Sequence, residues 1–210
     1  DRVTGVREGA AILGTIPAWG VEAAIRDNTL NLEITRQGGK VLWMMPEHAE
    51  FSQTLPLEEC IAQGKAFLAE RGFGDMADSY YQLYNGLAVI NFAARQGEVL
   101  LYPDLVKVQV RMDTGEVVGL EANNYWMNHH QRELPAPVLT QEQAREKVSP
   151  RLSIQESRLC MIPFRSTEKL CYEFSGTWND AQYLVYIDAL TGEEREILKI
   201  IDTETGPLTA

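Results

Sequence analysis

Acidic side chains are the residues of this sequence with the clearest potential for chemistry. Two carboxylates across a cleft could hydrolyse a glycan, one as general acid and the other as nucleophile or base. Most of these carboxylates stand in predicted turns or alternate with apolar residues, which predicts the solvated faces of sheets: Glu98, Asp104, Asp113, Glu116, Glu121, Asp188 and Glu193. No nucleophile elbow, phosphate loop or dinucleotide fingerprint accompanies them. We therefore predict a protein that is not an enzyme and needs no cofactor.

The histidines do not predict a metal site. The sequence has three, His48, His129 and His130, and the adjacent pair would point to opposite faces of a strand. A zinc site needs three or four converging ligands, so we interpret the histidines as loop or surface residues. Arg132, which follows them, is interpreted as part of a linker between repeats rather than as a site.

The cysteines, Cys60, Cys160 and Cys171, are odd in number and contain no Cys-x-x-Cys pair. If residues 163–168 turn a hairpin, Cys160 and Cys171 become diagonal neighbours, about 7–8 Å apart at Cα. That separation exceeds the usual reach of a disulfide. We expect buried free thiols, with a bridge between Cys160 and Cys171 as the alternative.

Composition indicates a packed globular protein and limits its partners. The chain has 210 residues, of which 45% are hydrophobic, and a formal net charge of −11. That charge would repel a polyphosphate backbone, so nucleic acid is not expected as a partner. The most apolar segment, Gly9 to Ile25, is interrupted by Pro17 and Glu22 and is too weakly apolar to span a bilayer. No signal-peptide pattern follows Asp1, so we expect any membrane anchor to lie upstream of this sequence.

A repeated strand and turn pattern positions these residues. A run of alternating apolar residues closed by a glycine turn occurs at Leu30–Ile34, Val106–Val110 and Tyr183–Ile187. The turn glycines at positions 39, 115 and 192 are spaced by 115 − 39 = 76 and 192 − 115 = 77 residues. We predict three tandem α+β units, with boundaries at 1–51, 52–134 and 135–210. Arrays of this kind more often bind than catalyse.

Each unit is predicted to pack one helix on an antiparallel sheet. In the second unit the segment 52–59 is the predicted helix start, with Glu58 and Glu59 in the first turn, and glycines at 72 and 74 end the helix. In the third, Thr140 and Gln143 form a capping box, and the helix extends to Val148. In the first, which is degenerate, the helix is predicted over Val3–Leu13.

Aromatic residues concentrated in the second unit suggest a binding surface. Exposed amphipathic rings suit contacts with a protein or a glycan, although core packing is the alternative. Between Phe92 and Val108 this unit is also longer than the third unit, which places an extra segment around Pro103. Our candidate partner-binding residues are Tyr102, Asp104, Tyr125 and Trp126.

The segment Tyr183–Glu193 resembles the last hairpin of the PepSY domain, whose turn carries Asp-x-x-Thr-Gly-Glu. The match is good in the third unit at Asp188–Glu193, partial in the second at Met112–Glu116 and weak in the first at Gln37–Lys40.

Nearly the whole chain resembles the C-terminal region of YpeB-type spore germination proteins. The motifs that carry this resemblance occur in the same order: Leu101–Val108, Gly115–Gly119, Cys171–Phe174 and Gly206–Thr209. The resemblance implies an extracytoplasmic protein of the spore inner membrane or cortex, anchored by an upstream segment. It also implies a partner, a cortex-lytic peptidoglycan hydrolase of the SleB type, which the protein binds, stabilises or localises. Peptidoglycan binding and protease inhibition are the alternatives.

Overall fold

Thirteen strands that belong to one sheet and three helices make up the described part of the chain. The structure is a computed structural model, and it describes residues 2–10, 16–25, 28–48, 50–203 and 206–209. The elements fall into three groups, which we call unit one (residues 2–46), unit two (57–128) and unit three (141–209). Strands dominate, so the predicted α+β class holds only in its coarser sense.

Unit one is an antiparallel meander of four strands, β1 (Arg2–Ala10), β2 (Pro17–Ile25), β3 (Asn28–Thr35) and β4 (Val41–Pro46). The predicted helix over Val3–Leu13 is wrong, because residues 2–10 pair with β2 and residues 11–13 lie outside the described residues. β-Branched residues and glycines in this segment favour an extended chain over a helix.

Unit two contains helix α1 (Leu57–Glu70), strands β5 (Met76–Tyr84), β6 (Leu87–Gln96), β7 (Val99–Arg111) and β8 (Val117–Glu121), and helix α2 (Asn123–Asn128). The predicted helix and hairpins are confirmed, whereas α2 was not predicted. Strand β7 contains the predicted run Val106–Val110 and begins seven residues before it, at Val99. The ladder shifts register opposite Ala93 and Ala94, which accommodates residues 102–104 as a bulge.

Unit three contains helix α3 (Gln141–Arg145) and strands β9 (Ser153–Phe164), β10 (Thr167–Trp178), β11 (Ala181–Asp188), β12 (Glu194–Thr203) and β13 (Gly206–Thr209). The capping box is confirmed, because Thr140 Oγ1 accepts from the Gln143 amide and Gln143 Oε1 accepts from the Thr140 amide. The helix ends at Arg145 rather than at the predicted Val148. Pro150 disfavours helical backbone at the residue before it.

The three units share their sheet instead of forming separate ones. Strand β4 pairs with β8 through Trp43 and Met44. Strand β7 pairs in parallel with β9 through residues 99–101 and 159–161. β7 thus lies beside β9 over its first residues and beside β8 over its last ones. Residues 102–105 lie where one neighbour is exchanged for the other.

The predicted repeat of the glycine turn is confirmed by its hydrogen bonds. The backbone amides of Thr35, Arg111 and Asp188 each donate to the carbonyl five residues later, at 2.8, 2.9 and 2.9 Å. The fourth residue of each turn is a glycine, and Gly39, Gly115 and Gly192 have φ of 61°, 74° and 75°. Glycine adopts this left-handed backbone without steric cost.

The sheet buries apolar residues on both faces. The larger cluster lies on the side of α1 and α3 and contains Phe92 and Phe174, both fully buried. The second cluster lies on the side without helices and includes Tyr102, Cys160 and Tyr186. Strand β13 lies next to β5, so the strands of units two and three curl around this second cluster.

Candidate functional site

Tyr125 and Trp126 lie on α2, where unit one meets unit two. The buried Tyr125 hydroxyl donates to the Phe73 carbonyl at 3.2 Å, and Trp126 Nε1 donates to the Val41 carbonyl at 2.9 Å. The two rings pack edge to face with each other and against Phe73. These candidates therefore help to hold β4 beside β8. Their role in binding a partner stays a prediction.

Asp104 lies in the β7 bulge and forms what we call the Arg132 clamp, which consists of Asp104, Arg132 and Glu168. Its carboxylate is 0% exposed and accepts two hydrogen bonds from the Arg132 guanidinium, at 2.7 and 2.8 Å. Arg132 also donates twice to Glu168, at 2.7 and 2.8 Å. The prediction that Asp104 lies on a solvated sheet face is wrong, because the bulge directs it beneath the linker.

The clamp joins three segments that are distant in the sequence. Asp104 belongs to unit two, Glu168 belongs to unit three, and Arg132 belongs to the linker between them. Hydrogen bonds from the Arg132 side chain to Glu168 and Asp104 raise the pKa of this arginine. Bidentate pairs of this kind fix geometry as well as charge. Arg132 thus lies in a linker, as expected, and bridges the two units.

His129 extends the clamp toward the surface. Its Nδ1 lies 2.8 Å from Asp104 Oδ2, and its ring stacks on Tyr125 with 4.2 Å between centroids. It directly follows α2, so the expectation that His129 and His130 lie on opposite faces of a strand is wrong. Because Asp104 accepts from Arg132 through both oxygens and also lies beside His129, this arrangement positions the linker against the β7 bulge.

Asp188, in the third glycine turn, is a second acidic residue that the sequence placed wrongly on a solvated face. It is buried and accepts hydrogen bonds from the Leu190 and Thr191 amides at 2.9 and 3.0 Å. Arg195 donates twice to it, at 2.7 and 2.9 Å. Burial opposes ionisation, but these hydrogen bonds outweigh it and lower the pKa of Asp188. The residue stabilises the turn.

Tyr102 lies on the face of the sheet that is opposite to α1 and α3. It forms part of the wall of a groove of about 420 Å³. Its hydroxyl donates to Glu173 Oε2 at 2.7 Å, and its ring stacks on Tyr80 with 6.5 Å between centroids. We call this concavity the tyrosine–glutamate groove and define it by the lining residues Tyr80, Tyr81, Tyr102, Arg158, Glu173 and Tyr183.

The groove combines a buried acid with tyrosines that keep their protons. Glu173 is only 5% exposed. Burial, followed by the nearby charge of Glu173, raises the pKa of Tyr80 and of Tyr102. The same two causes raise the pKa of Tyr186, whose hydroxyl lies 3.4 Å from that of Tyr80. At neutral pH these hydroxyls are therefore hydrogen-bond donors and not phenolates.

Cys160 and Cys171 are buried free thiols, as predicted, but the predicted diagonal arrangement is wrong. The two residues are directly opposite each other, because a tight turn at residues 165–166 sets the register of β9 and β10. Burial raises the pKa of Cys171 to about 12 and that of Cys160 well above its ordinary value. Neither thiol is a ready nucleophile at neutral pH.

Two searches of the described residues bear on function. Over residues 2–10, 16–25, 28–48, 50–203 and 206–209, no three His, Cys, Asp or Glu side chains are grouped to hold a metal ion. Within the same ranges, no helix combines the length and the apolar character required to cross a bilayer.

Sequence reasoning missed Glu173, Arg158 and Glu168 as members of these sites. The one local signal was Glu173 itself, a charged residue between Tyr172 and Phe174 in a strand that otherwise reads as buried. Arg158 and Glu168 occur in ordinary polar positions, and nothing in their surroundings along the chain distinguishes them.

The sequence matches two family descriptions along its length. Residues 7–135 match "YpeB sporulation, PepSY1 and PepSY2 domains", and residues 138–198 match "Peptidase propeptide and YPEB domain". The predicted boundaries at 51/52 and 134/135 stay predictions.

Curated relatives and a solved structure agree with these matches. The chain is 37% identical over 174 residues to "Sporulation protein YpeB" of Halalkalibacterium halodurans, covering 82% of this chain and 39% of the relative. It is 28% identical over 176 residues to the protein of that name from Bacillus subtilis, with coverage of 82% and 39%. The structure of the "Bacillus megaterium YpeB C-terminal domain" superposes with a TM-score of 0.82 at 25% identity, covering 94% of this chain and 88% of that one. The chain thus spans about two fifths of the length of these curated relatives.

Proposed function

Since this chain belongs to the YpeB family of sporulation proteins, we propose that it binds a cortex-lytic peptidoglycan hydrolase and so stabilises or localises that enzyme. The family establishes a role related to sporulation. The proposal adds the partner, of the SleB type, a non-enzymatic mode of action and an extracytoplasmic location at the spore inner membrane or cortex. It follows from the family resemblance and from one surface of the molecule.

The observation that carries the proposal is an exposed apolar face on unit one. Val6 is 63% exposed and Trp19 is 41% exposed, and both lie on the side of the sheet that α1 covers in unit two. Paired residues of adjacent strands share a face, so Val6, Val21, Leu32 and Met44 form one apolar row, which begins at exposed Val6 and ends at Met44 in the larger buried cluster. Exposed apolar patches of this kind mark protein contacts.

The test is a calorimetric titration of this chain into its cognate hydrolase. We expect saturable binding and a rise in the unfolding temperature of the hydrolase. At one hundred times the dissociation constant, binding would stabilise the enzyme by about 2.7 kcal/mol. An unchanged unfolding temperature would reject stabilisation, and the absence of binding would reject the proposal for this part of the protein.

Variants locate the surface. Trp19→Ala should weaken binding by roughly thirtyfold if the ring is a central anchor, since truncation of such residues costs about 2 kcal/mol or more. Val138→Asp is the matched control, because Val138 is 72% exposed and lies in the linker. The earlier candidates are tested in the same titration as Tyr102→Phe, Asp104→Asn, Tyr125→Phe and Trp126→Phe. Equal losses for Trp19→Ala and Val138→Asp would contradict this assignment.

The tyrosine–glutamate groove favours peptidoglycan binding as a second candidate function. Tyrosine rings beside polar groups suit amphipathic ligands such as glycans. Sedimentation with purified cortex peptidoglycan separates the two functions, because a peptidoglycan binder pellets without any hydrolase. Recovery of all the protein in the supernatant would reject this candidate.

A further inference from the structure

We propose that the tyrosine–glutamate groove binds the zwitterionic group of an amino acid, with Glu173 holding the ammonium and Arg158 holding the carboxylate. The inference concerns the groove of the second candidate function but does not depend on that function. A free amino acid would satisfy the same geometry without any glycan.

Glu173 provides the acceptor side of this site. Tyr102 donates to one of its oxygens at 2.7 Å. In the part of the chain that the structure describes, no other side chain donates a hydrogen bond to this carboxylate. An ionised carboxylate offers about four acceptor positions. Because Glu173 lines the groove, its remaining acceptor capacity is available to a ligand there.

The tyrosine rings add to the attraction for a cation. Tyr80 and Tyr102 are stacked, and both rings line the same groove as Glu173. The face of an aromatic ring attracts an ammonium group, more strongly when water is excluded. A small cationic group near Glu173 would therefore meet both a carboxylate and ring faces.

Arg158 provides the donor side. It lies directly opposite Glu173 on the neighbouring strand, where side chains are about 4.5–5.5 Å apart at Cβ. Arg158 donates to Glu156 at 3.1 Å and to the Asp78 carbonyl at 3.4 Å. Within the described residues, no ion pair joins Arg158 to Glu173. A guanidinium has five N–H donors, so capacity for a ligand carboxylate remains.

The two charges select the ligand class. A ligand with an ammonium next to a carboxylate complements both Glu173 and Arg158 at once. A phosphate would meet repulsion from Glu173, and a neutral sugar would leave Glu173 without an ionic partner. The groove, about 420 Å³ in volume, is large enough for an amino acid and for part of a longer molecule.

The first experiment is an NMR titration of the isotopically labelled chain with alanine. We expect alanine to shift the amide resonances of Ser175, Gly176 and Gln182, which line the groove. N-acetylalanine lacks the ammonium and alaninamide lacks the carboxylate, so each should bind at least about tenfold more weakly. Equal affinities for the three compounds would overturn the proposal, as would no response to alanine at millimolar concentration.

Variants then assign the two charges. Arg158→Gln should weaken alanine binding about tenfold and leave alaninamide binding unchanged, since only the carboxylate contact is lost. Glu173→Gln should weaken alanine binding about tenfold and leave N-acetylalanine binding unchanged, since only the ammonium contact is lost. If Glu173→Gln fails to fold, Tyr102→Phe tests the same carboxylate, because it removes only the hydroxyl that orients it. Arg71→Gln is the matched control, because Arg71 belongs to an exposed ion pair and is far from Arg158 and Glu173 in the sequence. It should leave alanine binding unchanged.

Two further probes separate the possible sources of the ligand. A diamino dicarboxylic acid acetylated on one amine presents one zwitterionic group on a chain, as does such an acid when its other amine is joined to a peptide. If both this compound and alanine bind, the site is supported and the ligand can be part of a peptide. If alanine binds and this compound does not, the site accepts only free amino acids. N-acetylglucosamine should not shift the groove resonances, and a response to this sugar but not to alanine would overturn the proposal.

Discussion

Unit one and unit two have the same order of four strands and the same glycine turn, but their apolar faces have different surroundings. In unit two, α1 lies on the sheet, and an added Cβ at Gly64 would lie only 2.8 Å from the Phe92 ring. In unit one, the described residues include no helix, and Val6 and Trp19 are exposed on the equivalent face. The strand pattern alone therefore forms the sheet, whereas the helix decides whether the face becomes core or surface.

The contacts that join unit one to unit two differ from those that join unit two to unit three. Units one and two meet through two residue pairs of β4 and β8 and through the Trp126 indole. Units two and three meet through the β7–β9 pairing and the Arg132 clamp. Among the described residues that join the units, a buried ion pair occurs at the second joint, between Asp104 and Arg132. That joint should therefore be the more sensitive to a single substitution.

The largest effect on stability is expected on the sheet face that α1 covers in unit two. Phe92→Ala should lower the free energy of unfolding by about 3–5 kcal/mol, because the ring is fully buried under α1. Val6→Ala, on the uncovered face of unit one, should change it by less than about 0.5 kcal/mol. Urea denaturation followed by tryptophan fluorescence measures both. A similar cost for Val6→Ala would show that this face is covered in solution.

The next effect concerns the buried charges at the second joint. Arg132→Ala should cost about 3–5 kcal/mol, because it leaves the Asp104 carboxylate buried without its partner. Replacement of both residues, as Asp104→Leu with Arg132→Met, should cost much less, since the buried Asp104 charge is removed with its partner and Glu168, which also loses Arg132, is 32% exposed to water. Arg71→Ala breaks an exposed pair with Glu70 and local contacts with Phe67, and it should cost about 0–1 kcal/mol. Equal costs for Arg132→Ala and Arg71→Ala would contradict the role of the clamp.

The glycine turns of units one and three can be compared at one equivalent position. Gly39→Ala should cost about 1–2 kcal/mol from its left-handed backbone alone, since no atom lies within 4 Å of an added Cβ. Gly192→Ala should cost more, because that Cβ would lie 3.1 Å from Leu139 Cδ2. Thermal unfolding of the two variants ranks them. The opposite order would show that backbone strain, not packing, dominates in unit three.

The smallest effect is the pH dependence contributed by the glycine turn of unit three, which carries Asp188 where unit one has Thr35. The pKa of Asp188 is lowered in the folded state, so its contribution to stability is present above the unfolded pKa of about 3.9. It is lost as the pH falls through the folded pKa. Asp188→Asn should therefore flatten the loss of stability measured by urea unfolding below about pH 4. Glu70→Gln, at an exposed position, should leave that loss unchanged.

Most local elements could be predicted because their causes lie within a few residues. Pro56 with the acidic residues after it begins α1, and Thr140 with Gln143 caps α3. Asn85-Gly86 and the three turn glycines fix the hairpins, since these residues adopt positive φ. The strand at residues 2–10 was not predicted, because each unit was expected to begin with a helix that precedes its strands.

The sequence by itself determined the repeat, the turns, the helix starts and the family, because each is written in neighbouring residues. Only the tertiary structure decided where the charged residues lie. Asp104, Arg132 and Glu168 are far apart along the chain, and a bulge and a parallel strand pair bring them together. Glu173 meets Tyr102 in the same way, across strands of two different units. Such contacts depend on strand order and register, which no short stretch of sequence specifies.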